Sequence, residues 1–212
     1  MNMKQTFIIS GIILALFILW TVTVGTVDVA PVGPLGSSVG LSAVNRQFHN
    51  MTGVHLELYT ITDQLSIIPL AIVCYFAVTG LLQWIRRKKL LLVDHDFLAL
   101  GGFYAVVMAL FIFFEICVIN YRPILIDGAL EASYPSSTTM LVMCVMPTAM
   151  IQTHRRVKNT LLRKILCTLM GGFIIFMVVA RLLSGVHWLT DIIGSALLST
   201  SLVLLYKTVY AI

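Results

Sequence analysis

The chain has 212 residues, 59% of them hydrophobic and only 11% charged. A soluble domain is typically about a quarter charged and just under half apolar, so this composition excludes an ordinary water-soluble globule and makes the bilayer the solvent. The net charge of +5 gives no nucleic-acid signal, because the basic residues follow the apolar segments.

Six apolar runs occupy residues 6–27, 65–84, 97–114, 140–151, 165–180 and 192–206. The first three are each long enough to cross about 30 Å of hydrocarbon as helices. The last three fall short by roughly a turn or more. They span only if neighbouring polar residues continue the same helices at membrane depth. The reading is an all-α membrane protein, a six-transmembrane bundle forming one domain over residues 1–212.

The first run has 22 residues, more than the usual 7–15 of a secretory signal core, and reads as an uncleaved helix. Residues 28–64 form the longest non-spanning stretch. VAPVGPLGSSVG is a turn-rich loop. The mixed segment AVNRQFHNMTGVHLELYTITDQL suits a short interfacial helix on the outer leaflet. Its His49, His55, Glu57 and Asp63 match no metal-ligand spacing and read as surface residues.

Lys4 precedes the first run, Arg86, Arg87, Lys88 and Lys89 follow the second, and Lys207 ends the sixth. Arg155, Arg156, Lys158, Arg163 and Lys164 separate the fourth from the fifth. By the positive-inside rule both termini are cytoplasmic. Residues 28–64, 115–139 and 181–191 then lie at the outer face. Pro147 should kink the fourth helix. Cys74, Cys117, Cys144 and Cys167 sit in or beside apolar runs and read as buried structural thiols.

Ionisable residues near membrane depth are costly and point to function. They collect in EICVINYRP, YPSSTT and ARLLSGVHWLTD, all on the expected outer face. His187 and Asp191 are four apart, so on a helix they share a face. A carboxylate there can fix the imidazole tautomer and leave the other nitrogen free to attack. Arg181 and Arg122 can each clamp phosphate oxygens. The blander reading is an Arg181–Asp191 ion pair beside a satisfied histidine. Ser136, Ser137 and Thr138 follow Pro135 and open a helix, where unpaired N–H groups and the dipole favour an anion.

With these motifs the chain resembles the type 2 phosphatidic acid phosphatase superfamily of integral membrane lipid phosphatases. That family's signature is a lysine, six residues and Arg-Pro; then Pro-Ser-Gly-His; then Ser-Arg, five residues, His, three residues and Asp. Here the third part reads Ala180-Arg181, LLSGV, His187, WLT, Asp191. The second reads Pro135-Ser136-Ser137-Thr138, and the first Glu115, ICVINY, Arg122-Pro123. The likeness covers most of residues 97–206.

The resemblance implies a lipid phosphate substrate, no cofactor and no metal. It implies that His187 attacks phosphorus and forms a phosphohistidine, with Asp191 orienting it. Arg122, Arg181, Ser136 and the amides of Ser137 and Thr138 would bind the phosphate. It places the site at the outer face of a membrane, and the compact size suggests a bacterial cytoplasmic membrane.

Two positions depart from the signature: Glu115 stands for the lysine and Thr138 for the histidine that protonates the leaving group. Losing general acid catalysis typically costs about 10²–10⁴ in rate. A departing phosphate, with a second pKa of about 6, needs that proton less than an alkoxide does, which favours a prenyl diphosphate. Glu115 lies seven residues before Arg122, so it is expected to pair with that arginine on a shared helical face, or else to serve as the missing acid. The readings are a lipid phosphatase, a phosphotransferase passing the group to an alcohol, or an impaired relative that binds or moves phospholipids.

Overall fold

The computed structural model describes residues 2–210. They form eight α-helices: α1 (Met3–Thr26), α2 (Ser42–Thr52), α3 (Leu56–Leu65), α4 (Ile67–Arg87), α5 (His95–Ile116), α6 (Ser137–Arg156), α7 (Thr160–Leu183) and α8 (Leu189–Tyr210). Local chemistry sets several of these ends. Asn2 accepts from the Lys4 amide while Gln5 reaches back to the Asn2 amide, a capping box that starts α1. Asn159 caps α7 through the Leu162 amide. Arg87 and Gln83 both hold Asp94, which fixes the short turn from α4 to α5.

Among the described residues, five helical segments are long and apolar enough to cross a membrane: Met3–Thr26, Leu56–Arg87, His95–Ile116, Thr160–Leu183 and Leu189–Val209. Their outward faces are greasy, with Phe7, Ile8 and Leu19 on α1 and Leu169 and Ile175 on α7 all exposed. The fourth apolar run, within α6, is not among these five. At 20 residues α6 is long enough, but its composition is mixed because protein surrounds it. Thr138, Thr139, Thr148 and Gln152 on α6 are all buried. The short fourth, fifth and sixth runs do extend into longer helices that take in the neighbouring polar residues.

α8 lies at the centre, packed against α1, α5 and α6, and α6 also packs on α7. The α1–α8 joint uses small residues. Ser10 Oγ donates to the Ser201 carbonyl at 2.8 Å, and Ser201 Oγ returns a bond to the Ser10 carbonyl at 2.9 Å. Such residues let helix backbones approach closely. Phe17, Val24, Phe97, Leu100 and Phe114 form part of the apolar core beside this joint. α6 continues through Pro147, and the Thr148 hydroxyl bonds back to the Cys144 and Val145 carbonyls.

Two expectations change here. The segment after residue 41 is not one interfacial helix. Gly53 ends α2 in a left-handed conformation (φ 71°), and α3 then runs on through Ser66 into α4 as one 32-residue span. Of the four cysteines, all free, only Cys144 is fully buried. Cys74 and Cys117 are exposed, because they lie on outward surfaces rather than in the core.

Candidate active site

The turn from α7 to α8 carries the histidine. Its backbone needs glycine at residue 185, where φ is +71° and a Cβ would fall 2.2 Å from the Gly53 carbonyl oxygen. The α2–α3 corner therefore seats directly on this turn, and the His55 amide donates to the Ser184 carbonyl at 2.9 Å.

His187 lies just before α8 and not on it, since the helix begins at Leu189. The pair with Asp191 forms all the same, by the fold of the first turn. The Trp188 amide donates to Asp191 Oδ2 at 2.9 Å, and His187 Nδ1 lies 3.5 Å from the same oxygen. Burial pushes the imidazole pKa down to about 4, against the upward pull of Asp191, and the nearby charges of Arg122 and Arg181 add to the lowering. His187 is thus held neutral, and neither ring nitrogen has a hydrogen-bond partner, the 3.5 Å approach of Nδ1 to Asp191 being an ion-pair contact alone.

Asp191 is fully buried and held from behind by residues outside the expected set. Asn120 Nδ2 lies 3.4 Å from its Oδ1. The Thr190 hydroxyl lies 3.5 Å from Oδ1 and itself accepts Asn45 Nδ2 at 2.9 Å. These asparagines are completely buried.

Arg181, in the last turn of α7, is only 2% exposed. Its Nη1 donates to Thr62 Oγ1 at 3.1 Å, while its Nε has no partner. The expected alternative, an ion pair with Asp191, does not form. Arg122 comes from the loop between α5 and α6, where its amide donates to the Glu131 carbonyl at 3.0 Å. Its Nε sits 3.0 Å from Glu131 Oε2, an ion pair too far off the N–H direction for a hydrogen bond, and its Nη1 has no partner. The Tyr59 ring faces both guanidinium carbons, at 4.8 Å from Arg181 and 5.9 Å from Arg122.

The expected pairing of Glu115 with Arg122 is therefore corrected. α5 stops at Ile116, so the helical spacing behind that pairing is lost, and Glu131 takes the place. Glu115 instead lines a small cleft together with Ser137, Tyr134 and His187.

Ser136 opens α6 as its N-cap residue. Its amide donates to the Asp191 carbonyl at 3.3 Å, and Ser195 Oγ donates to the Ser136 carbonyl at 2.9 Å, tying the start of α6 to α8. The Ser136 hydroxyl bonds Thr139 rather than capping the helix. Ser137 and Thr138 line an apolar cavity of about 290 Å³ with Leu70, Val73, Tyr104 and Phe111, and Ser137 and Phe111 also border the His187 cleft. The cavity leads from the start of α6 down between α4 and α5.

All the expected residues thus gather at one end of the bundle. Tyr59, Thr62, Asn45, Asn120 and Glu131 were not expected there. Asn120 falls in the unremarked spacer before Arg122. The other four lie in segments whose approach only the tertiary fold reveals.

A sequence model of the PAP2 superfamily matches residues 103–211. Curated protein sequences yield no significant match. Among solved structures, the chain is similar to a transmembrane PAP2 type phosphatidylglycerolphosphate phosphatase from Bacillus subtilis. The two share 16% identity over 93% of this chain and 94% of the other, with a TM-score of 0.65.

Proposed function

The chain belongs to the PAP2 superfamily, and from that premise we propose that it is a membrane lipid phosphatase with His187 as nucleophile. The observation that carries this is the set of buried site nitrogens without hydrogen-bond partners: Nε and Nη1 of Arg122, Nε of Arg181 and both ring nitrogens of His187. A buried donor left unmade costs about 1–3 kcal/mol. Two such cations beside a neutral imidazole suit a phosphoryl group that supplies the partners.

In this reading Nε2 of His187 attacks phosphorus while the Asp191 carboxylate, beside Nδ1, stabilises the positive charge that develops on the ring. The P–N bond forms as the P–O bond to the lipid breaks, and the leaving oxygen takes its proton from water. Water then cleaves the P–N bond, releasing phosphate and restoring the imidazole. Arg122, Arg181 and the first amides of α6 stabilise the oxygens, while Ser136, its own donors engaged by Thr139 and Asp191, fixes the start of that helix. The lipid chain lies in the cavity below Ser137 and Thr138, so its tail stays at membrane depth. Six helices cross the membrane, both termini are cytoplasmic, and the site opens at the outer leaflet.

Thr138 cannot protonate a leaving group, so a diphosphate lipid should turn over faster than a monophosphate. The test is phosphate release from prenyl diphosphate, phosphatidic acid and phosphatidylglycerol phosphate in mixed micelles. Wild type should release phosphate and His187→Ala should not, with an acid-labile phosphoenzyme in wild type alone. A second reading, a phospholipid-binding relative without turnover, is favoured by the missing acid. It wins if wild type binds these lipids and releases phosphate from none.

A further inference from the structure

The superfamily match begins at residue 103, yet two side chains from α3, far upstream, touch the arginines of the site. Tyr59 and Thr62 are three apart on α3 and so share a face. Thr62 is fully buried, and its hydroxyl hydrogen is committed to the carbonyls of Leu58 and Tyr59 at 2.8 and 2.9 Å. The oxygen is left to accept, and it accepts Arg181 Nη1 at 3.1 Å. The Tyr59 ring lies 4.8 Å from the guanidinium carbon of Arg181 and 5.9 Å from that of Arg122. Both are within range of the attraction between a cation and an aromatic face.

Two buried guanidinium groups repel each other, and the repulsion is strong where water is scarce. Glu131 offsets part of it at Arg122. Among the described residues, no carboxylate forms an ion pair with Arg181. Its contacts are one hydroxyl and one ring, both from α3. Each leaves guanidinium N–H groups free for a ligand, as a carboxylate partner would not.

We infer that Tyr59 and Thr62 are positioning residues of the phosphate site, holding Arg181 and Arg122 side by side and aimed inward before a phosphate arrives. The inference rests on the phosphate-site reading above. It also makes α3 a working wall of the site: the same 32-residue span carries α4, which borders the lipid cavity through Leu70 and Val73.

The test uses the full-length protein in detergent and orthovanadate as probe, with affinity read by calorimetry and folding by thermal unfolding. Wild type should bind vanadate, and no binding by wild type overturns the phosphate-site reading itself. If wild type binds, Tyr59→Phe keeps the ring and should stay within about twofold. Tyr59→Leu should weaken binding by roughly three- to thirtyfold, the span from an exposed to a desolvated cation–aromatic contact, at a melting temperature close to that of Tyr59→Phe. Wild-type affinity in Tyr59→Leu, or an equal loss in Tyr59→Phe, overturns the positioning role while leaving the phosphate site standing. Should Tyr59→Leu fail to fold, Thr62→Val decides. It removes the acceptor of Arg181 without changing side-chain shape, and unaltered vanadate affinity there overturns the inference.

Discussion

Arg156 and Arg181 close α6 and α7 at opposite ends of the bundle, and their surroundings are built on opposite lines. Arg156 ion-pairs with buried Asp96, donates through Nε to Gln152 at 3.0 Å, and lies 4.3 Å over the Phe97 ring. Gln152 in turn donates to the Tyr206 hydroxyl at 3.0 Å, which joins α5, α6 and α8. Arg155 reinforces Asp96 at 3.8 Å. At the other end Arg181 has one hydroxyl and one ring, with its Nε unpartnered, and Arg122 and His187 are similarly under-bonded. A satisfied polar cluster fastens helices together. An unsatisfied one keeps its donors for something else.

The largest test of this contrast is Arg181→Ala. Removing a preorganised donor to transition-state charge costs about 10²–10³ in rate. The variant should lose that much in kcat/KM on its best lipid substrate, while its melting temperature holds or rises because one of two neighbouring cations is gone. A marked loss of stability would place Arg181 with the structural group.

Arg156→Ala should do the reverse. Asp96 is 4% exposed at its side chain, and orphaning a buried charge costs about 3–5 kcal/mol. Arg155 remains close by, so the low end, about 3 kcal/mol, is expected as lost stability in thermal or denaturant unfolding. The fraction that stays folded should keep wild-type kcat/KM.

The pH profile tests the His187 end. The folded pKa of His187, about 4, lies below its ordinary value of 6.5. The neutral nucleophile therefore persists through the weakly acidic range, and kcat/KM should fall only as pH approaches that lower value. An ordinary histidine would already have lost about tenfold one unit below its own pKa. Between the two values the unfolded chain binds a proton that the folded chain does not. This part of the stability is full above 6.5 and is lost as pH falls toward about 4. An acid limb in kcat/KM near 6.5 would sink this assignment.

Hydropathy and charge made most of the helices legible, because period and length report directly on lipid contact. The α2–α3 break was not, although Gly53 marks it: the break depends on seating against Gly185, a contact between residues far apart in the chain. The spacing of Arg181, His187 and Asp191 was legible because one turn and one helix start hold all three. The partner of Arg122 was not legible, because α5 ends at Ile116 and the helical spacing from Glu115 does not continue to Arg122. Asn45, Tyr59 and Thr62 could not be read from spacing, since α2 and α3 reach the site only through the tertiary fold, and Asn120, two residues before Arg122, belongs to no charged pattern.

Glu131 tests the comparison most finely, because it is the one carboxylate ion-paired to a site arginine among the described residues. It is also half open to solvent, with 43% of its side chain exposed against 9% for Arg122. A pair of that kind is worth about 0.2–1 kcal/mol. If it stands where a phosphate oxygen would stand, the phosphate must displace it. Glu131→Gln should then tighten vanadate binding by about two- to fivefold and lower KM with kcat nearly unchanged. If Glu131 instead aims Arg122, the same substitution should weaken binding. The sign of one measured affinity therefore decides whether this carboxylate belongs to the satisfied, fastening kind of cluster or only occupies a donor kept for the ligand.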